Sequence, residues 1–173
     1  MDAKGVSAHC GDMKPIYFLM AAAIAATSAL AAGMASAQQP ADDDANWLDA
    51  PQTPGDWSYR AIAGSTQATF AAGTANEFTM QCQLQPRAIV LARRGHSDTD
   101  LLVRVRTETQ DRILQAKPST AGAQQVTVQL PVRDSLLDAM AITKGRFAIE
   151  VEGMAPLYIP AWAEVTRVIE DCR

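Results

Sequence analysis

Alternation with a period of two in the stretch "EFTMQCQLQ" is the feature that most limits how this chain can fold. Phe78, Met80, Cys82 and Leu84 fall on one side of an extended backbone, and Glu77, Thr79, Gln81, Gln83 and Gln85 on the other. Successive side chains of a strand point to opposite faces, so one face must meet a core and the other water. The pattern recurs in "DLLVRVRTE", where Leu101, Val103 and Val105 oppose Arg104 and Arg106. It recurs in "QQVTVQLP" through Val126, Val128 and Leu130, and in "GRFAIEVEG", where Phe147, Ile149 and Val151 oppose Arg146, Glu150 and Glu152. Further strands are predicted at "DWSYRAIA", "TQATFAA", "RAIVLARR", "DRILQAK" and "PLYIP". Short connections at Gly64-Ser65, Gln85-Pro86 and 95–98 favour antiparallel hairpins over parallel crossovers. So many short strands cannot all bury one face on a single helix. The expected fold is mainly β, either an antiparallel β-sandwich or a curled, barrel-like sheet.

Two segments break the period. In "RDSLLDAMAITKG", Asp134 or Ser135 can cap a short internal helix, Leu136, Leu137 and Met140 share a face, and Gly145 can end it. In "AWAEVTRVIEDC", Trp162, Val165, Val168, Ile169 and Cys172 recur at helical steps, which predicts a C-terminal helix docked on the sheet. The β-branched residues of "VTRVIED" also allow an extended reading.

The beginning of the chain bears on compartment. Lys14, an apolar run from Ile16 through Ala26 and the small-residue site Ala35-Ser36-Ala37 form a secretory signal peptide over residues 1–37, with Met13 as a possible true start. A membrane anchor is disfavoured, because the run is mostly alanine and no basic cluster follows it. The expected location is the periplasm or the medium. Cys10 leaves with the signal, so Cys82 and Cys172 remain as one pair, which an oxidising compartment joins in a disulfide. Two thiols with His96 between them do not have zinc-ligand spacing. Residues 38–55, rich in Pro, Asp and Gln, read as a flexible leader, and 56–173 as a single β-rich domain. Loss of Lys4, Lys14, Asp2 and Asp12 leaves the net charge at −4, which gives no reason to invoke nucleic acid.

Candidate chemistry is sparse. Asp42, Asp43 and Asp44 lack the spaced ligands and turn glycine of a calcium loop. His96, Ser97 and Asp98 hold the residue types of a serine hydrolase, but successive loop residues cannot readily place nucleophile and carboxylate on opposite imidazole nitrogens. Glu150 and Glu152 share the outer face of one strand at about 7 Å, a permissible glycosidase spacing without the apolar cleft an acid needs. No catalytic residue, metal or cofactor is assigned. Arg93, Arg94, Arg104, Arg106 and Arg112 lie on consecutive predicted strands or their ends and form a candidate anion-binding patch; pairing with Glu108, Asp111 or Glu150 is the competing arrangement. Trp57, Trp162, Tyr59 and Tyr158 fit core or rim positions better than a sugar platform.

The segment "KGRFAIEVEGMAPLYIPAWAEVTRVIEDCR", with "DWSYR" and "MQCQL" more loosely, resembles small secreted alphaproteobacterial proteins of uncharacterised function. A more distant similarity is to the invasion-associated locus B family of exported β-rich proteins, through an early tryptophan strand, a following cysteine strand and a helix before the last strands. Neither resemblance implies catalytic residues. The resulting expectation is an exported, non-catalytic domain that binds an envelope protein or an anionic envelope component, without a stable membrane anchor after signal cleavage. An inhibitor of a hydrolase such as lysozyme is the alternative, and a small hydrolase the third.

Overall fold

The computed structural model describes residues 46–119 and 124–173. The expected signal peptide, Met13, Cys10, the Asp42–Asp44 run and the first part of the expected leader lie outside the described residues. Nine strands, β1 (Asp56–Ile62), β2 (Ser65–Ala72), β3 (Ala75–Leu84), β4 (Arg87–Arg94), β5 (Leu101–Arg106), β6 (Asp111–Pro118), β7 (Gln125–Pro131), β8 (Arg146–Val151) and β9 (Leu157–Pro160), make one antiparallel sheet. Its order is β1-β2-β3-β4-β7-β6-β5-β8-β9. The sheet is a curled half-barrel, not a sandwich of two stacked sheets. A continuous ladder accounts for the difference: β6 joins β7 through Lys117↔Thr127 and Pro118↔Val126, which links the β1–β4 and β7 half to the β5, β6, β8 and β9 half. One apolar face then wraps one core, to which residues from β1 through β9 and both helices contribute.

The four clearest alternating segments are β3, β5, β7 and β8, and the five weaker ones are strands as well. Phe78, Met80 and Cys82 are buried as their period requires, but Leu84 is exposed because it sits at the end of β3, beyond the core. A bulge between Phe70 and Ala71 shifts the β2–β3 register, and the backbone of Gly55 passes close by. A Cβ at Gly55 would lie 2.5 Å from the Ala71 carbonyl oxygen and 2.7 Å from the Phe70 ring, so this crossing takes glycine alone.

Helix α1 (Ser135–Ile142) is capped by Asp134, whose carboxylate accepts the Leu136 N–H at 2.9 Å, and its Leu136, Leu137 and Met140 are buried. It stops at Thr143, and Gly145, at φ 78°, turns the chain into β8. Helix α2 (Ala163–Glu170) buries Val165, Val168 and Ile169, with Cys172 just beyond. The stripe therefore starts at Val165. Trp162 occupies the extended N-cap position and is 43% exposed.

Cys82 and Cys172 form the disulfide, with Cα atoms 5.4 Å apart across 90 residues of sequence. Tyr59 and Arg173 fasten the same end of the chain. The Tyr59 hydroxyl donates to Asp171, the Arg167 guanidinium lies 4.0 Å from the Tyr59 ring centroid, and Arg173 reaches Asp138 on α1 at 2.5 Å. The hydrogen bond to Asp171 is the main cause that raises the Tyr59 phenol above its ordinary pKa.

The described part of the expected flexible leader is docked on the domain. Trp47 is buried, with the Arg106 guanidinium 5.8 Å from its ring centroid. Arg146 donates to the Ala50 carbonyl, and Thr53 exchanges two hydrogen bonds with Tyr158, at 3.0 and 2.9 Å. Polar composition suggested a tail, but one aromatic side chain and the exposed edge of β9 supply the partners that hold 46–55. Trp57 ties the two ends of the sheet together: its indole N–H donates to the Pro160 carbonyl at 2.8 Å, while its ring packs edge-on against Phe70 and Phe78. No described helix is long and apolar enough to cross a membrane.

Candidate binding site

The five arginines do not gather into one patch. Arg93 stands in register with Phe78, on the core side of β4, and is buried together with Glu77. Arg93 and Arg94 both close on the Glu77 carboxylate at 2.7 Å, and Arg93 also donates to the carbonyls of Glu77, Arg94 and Ala155. The hydrogen bond from Arg94 is the main cause that holds the Glu77 carboxyl below its ordinary pKa, against the opposing effect of burial. Arg104 meets Asp111 at 2.7 Å, and Arg106 lies between Asp111 at 3.3 Å and Glu150 at 3.6 Å. Arg112 pairs with Asp134, the cap of α1. Each of these arginines thus meets a carboxylate of this chain; antiparallel register brings Arg106 opposite Asp111 and Arg104 opposite Glu150, while Arg112 meets the cap of α1. The members of the expected anion-binding patch take part in ion pairs within this chain in three places.

The other candidates are equally explicable. His96 is 3.3 Å from Asp98, but the Ser97 hydroxyl donates to the Thr99 carbonyl at 2.6 Å and accepts the Thr99 N–H at 3.1 Å, turned to its own loop. Glu150 and Glu152 border a shallow hollow of about 440 Å³ with the exposed Leu102 and Ile113. Among the described residues, no group of three or more His, Cys, Asp or Glu is placed to hold a metal ion.

A larger concavity lies on the solvent face of β1–β4, β6 and β7. It encloses about 550 Å³ and is open to solvent. Its floor follows from register. One row crosses the strands as Arg60, Gln67, Gln81, Val90 and Gln129; the next as Ser58, Thr69, Thr79, Ala92, Thr127 and Lys117. Gln83, Gln125 and Asn76 extend it. Among the described residues the lining includes no carboxylate and no aromatic ring. Its two cations stand at opposite margins of the sheet half, Arg60 on β1 and Lys117 on β6.

Part of this capacity is used within the groove. Arg60 donates to the Gln67 side-chain carbonyl at 2.8 and 2.5 Å, Gln81 donates weakly to Ser65 at 3.4 Å, and Thr127 donates to the Lys117 carbonyl at 3.3 Å. Backbone groups of the central strands are consumed by the ladder on both sides, so only side chains are presented to a ligand. Carboxamides and hydroxyls each both donate and accept. No family model, curated protein or solved structure matches this chain.

Sequence reasoning placed Thr79, Gln81 and Gln83 on a solvent face but did not see the groove. A legible signal existed: the outward residues of β2, β3 and β7 are Gln and Thr, whereas those of β5 and β8 are Arg and Glu.

Proposed function

We propose that the chain is an exported, non-catalytic periplasmic domain that retains a component of the cell envelope in the groove over β1–β4 and β7. The observation that carries this reading is the two rows of mainly Gln and Thr, with a cation at each margin, whose concave surface has no carboxylate among the described residues and offers directional hydrogen bonds. The signal-peptide pattern and the disulfide are consistent with an oxidising compartment. The test is retention of envelope extract on immobilised mature protein, compared with the Gln81→Ala/Gln129→Ala variant. Both side chains are on the solvent face, so folding is expected to survive, as circular dichroism will check. Retention by the wild type and loss by the variant is the expected result. Equal retention by both overturns the groove as the site.

A further inference from the structure

We propose that the occupant is a linear acidic glycan, a polyhydroxylated chain with carboxylates spaced along it, laid across the strands between Arg60 and Lys117. The inference rests on the binding reading above and names its ligand class. Sugar hydroxyls donate and accept at once, as do the carboxamides of Gln81, Gln83 and Gln129 and the hydroxyl of Thr127, so either rotamer of a surface group finds a partner. An extended peptide is a poorer fit. It gains affinity by adding a strand to a free edge or by filling apolar pockets. Here β2, β3, β4 and β7 are paired on both sides, the edge strand β1 gives the lining only Arg60, and the apolar lining among the described residues is Val90, Ala92 and Pro118.

Charge then selects among glycans. Among the described residues the groove lining holds Arg60 and Lys117 and no carboxylate. An acidic chain laid here meets two cations and no lining carboxylate among the described residues, a local field that favours it. Two cations are too few for nucleic acid, whose binding is dominated by neutralising many phosphates. From β1 to β6 the sheet order crosses five strand spacings, roughly 24 Å along the surface at the usual interstrand distance, room for several sugar units. With no aromatic ring to stack on, binding is expected to be weak and sensitive to salt.

The test uses the mature protein and three soluble probes in calorimetric or NMR titrations: a galacturonic acid hexamer, cellohexaose and hexaglutamate. The galacturonic acid hexamer is expected to bind, and cellohexaose to bind at least about tenfold more weakly because it lacks charge. Hexaglutamate is expected not to bind. Gln81→Glu/Gln129→Glu, nearly isosteric, is expected to weaken the acidic hexamer at least about tenfold by placing carboxylates in the groove. Lys117→Gln should reduce the salt dependence while leaving the fold intact. Binding of hexaglutamate as tight as that of the uronic hexamer, equal binding of cellohexaose, or an indifferent Gln→Glu variant overturns the proposal. If no probe binds while the Gln→Ala variant still loses envelope retention, the ligand class is wrong and the groove stands. If neither is seen, both fall.

Discussion

Replacing Cys172 by Ser opens a loop of 90 residues and frees the end of α2. The chain-entropy model assigns closure of such a loop about 4 to 5 kcal/mol at 25 °C, acting on the unfolded state. Cys172 and Cys82 are both buried in the core, so a serine hydroxyl at either position adds a desolvation cost of about 1 kcal/mol or more. Against a total stability of about 5 to 15 kcal/mol, the loss is severe, and for a domain of this size it corresponds to a fall in Tm of roughly 15 °C. Thermal unfolding of Cys82→Ser, Cys172→Ser and the double variant by circular dichroism measures it. The two single variants should lose similar amounts, and the double variant should be no worse than the entropy loss plus its second buried hydroxyl. Thiol titration of the denatured, unreduced wild type should find Cys82 and Cys172 unreactive. Two reactive thiols there, or single variants that melt with the wild type, would refute the reasoning.

Glu77→Gln leaves the buried Arg93 without its carboxylate and should destabilise by about 3 kcal/mol in urea unfolding. Glu77 and Asp111 are both held below their ordinary pKa by arginines, so their contribution is fully present above about pH 5 and is lost as pH falls through their folded values. Stability measured against pH should therefore decline on the acid side through these two groups, and Glu77→Gln should flatten that slope. Gly55→Ala forces a Cβ onto the Ala71 carbonyl and should cost about 1 to 3 kcal/mol, read as a lower Tm. Trp47→Ala should undock 46–55, destabilise by up to about 3 kcal/mol and open that segment to limited proteolysis.

Much of the fold was legible because strand period and register depend on local pattern. Phe78, Met80 and Cys82 point inward in the structure as in the sequence, and the helical stripe through Val165, Val168, Ile169 and Cys172 docks on the core. Legibility ended where a side chain's neighbours come from distant strands. Arg93 occupies a core-side position because Glu77, on the adjoining strand, neutralises it, and no periodicity announces that pairing. Trp47 lies in a stretch whose composition reads as a tail, yet it is buried with Arg106 beside it. The choice between sandwich and curled sheet turned on whether β6 meets β7, a contact between segments whose sequences show only a hairpin. The groove combines residues from six strands, so its uniform chemistry emerges only when β4 is placed beside β7.

The central claim is that the glutamine and threonine rows form the binding surface. NMR titration of the mature, isotope-labelled protein with the envelope fraction eluted from a wild-type column tests it most directly, read at the side-chain carboxamides of Gln67, Gln81, Gln83 and Gln129. The account predicts that these signals shift together with the backbone amides of Thr79 and Thr127, while those near Leu102 and Ile113 stay in place. Shifts confined to the Leu102 and Ile113 face, with the four carboxamides unmoved, would contradict it.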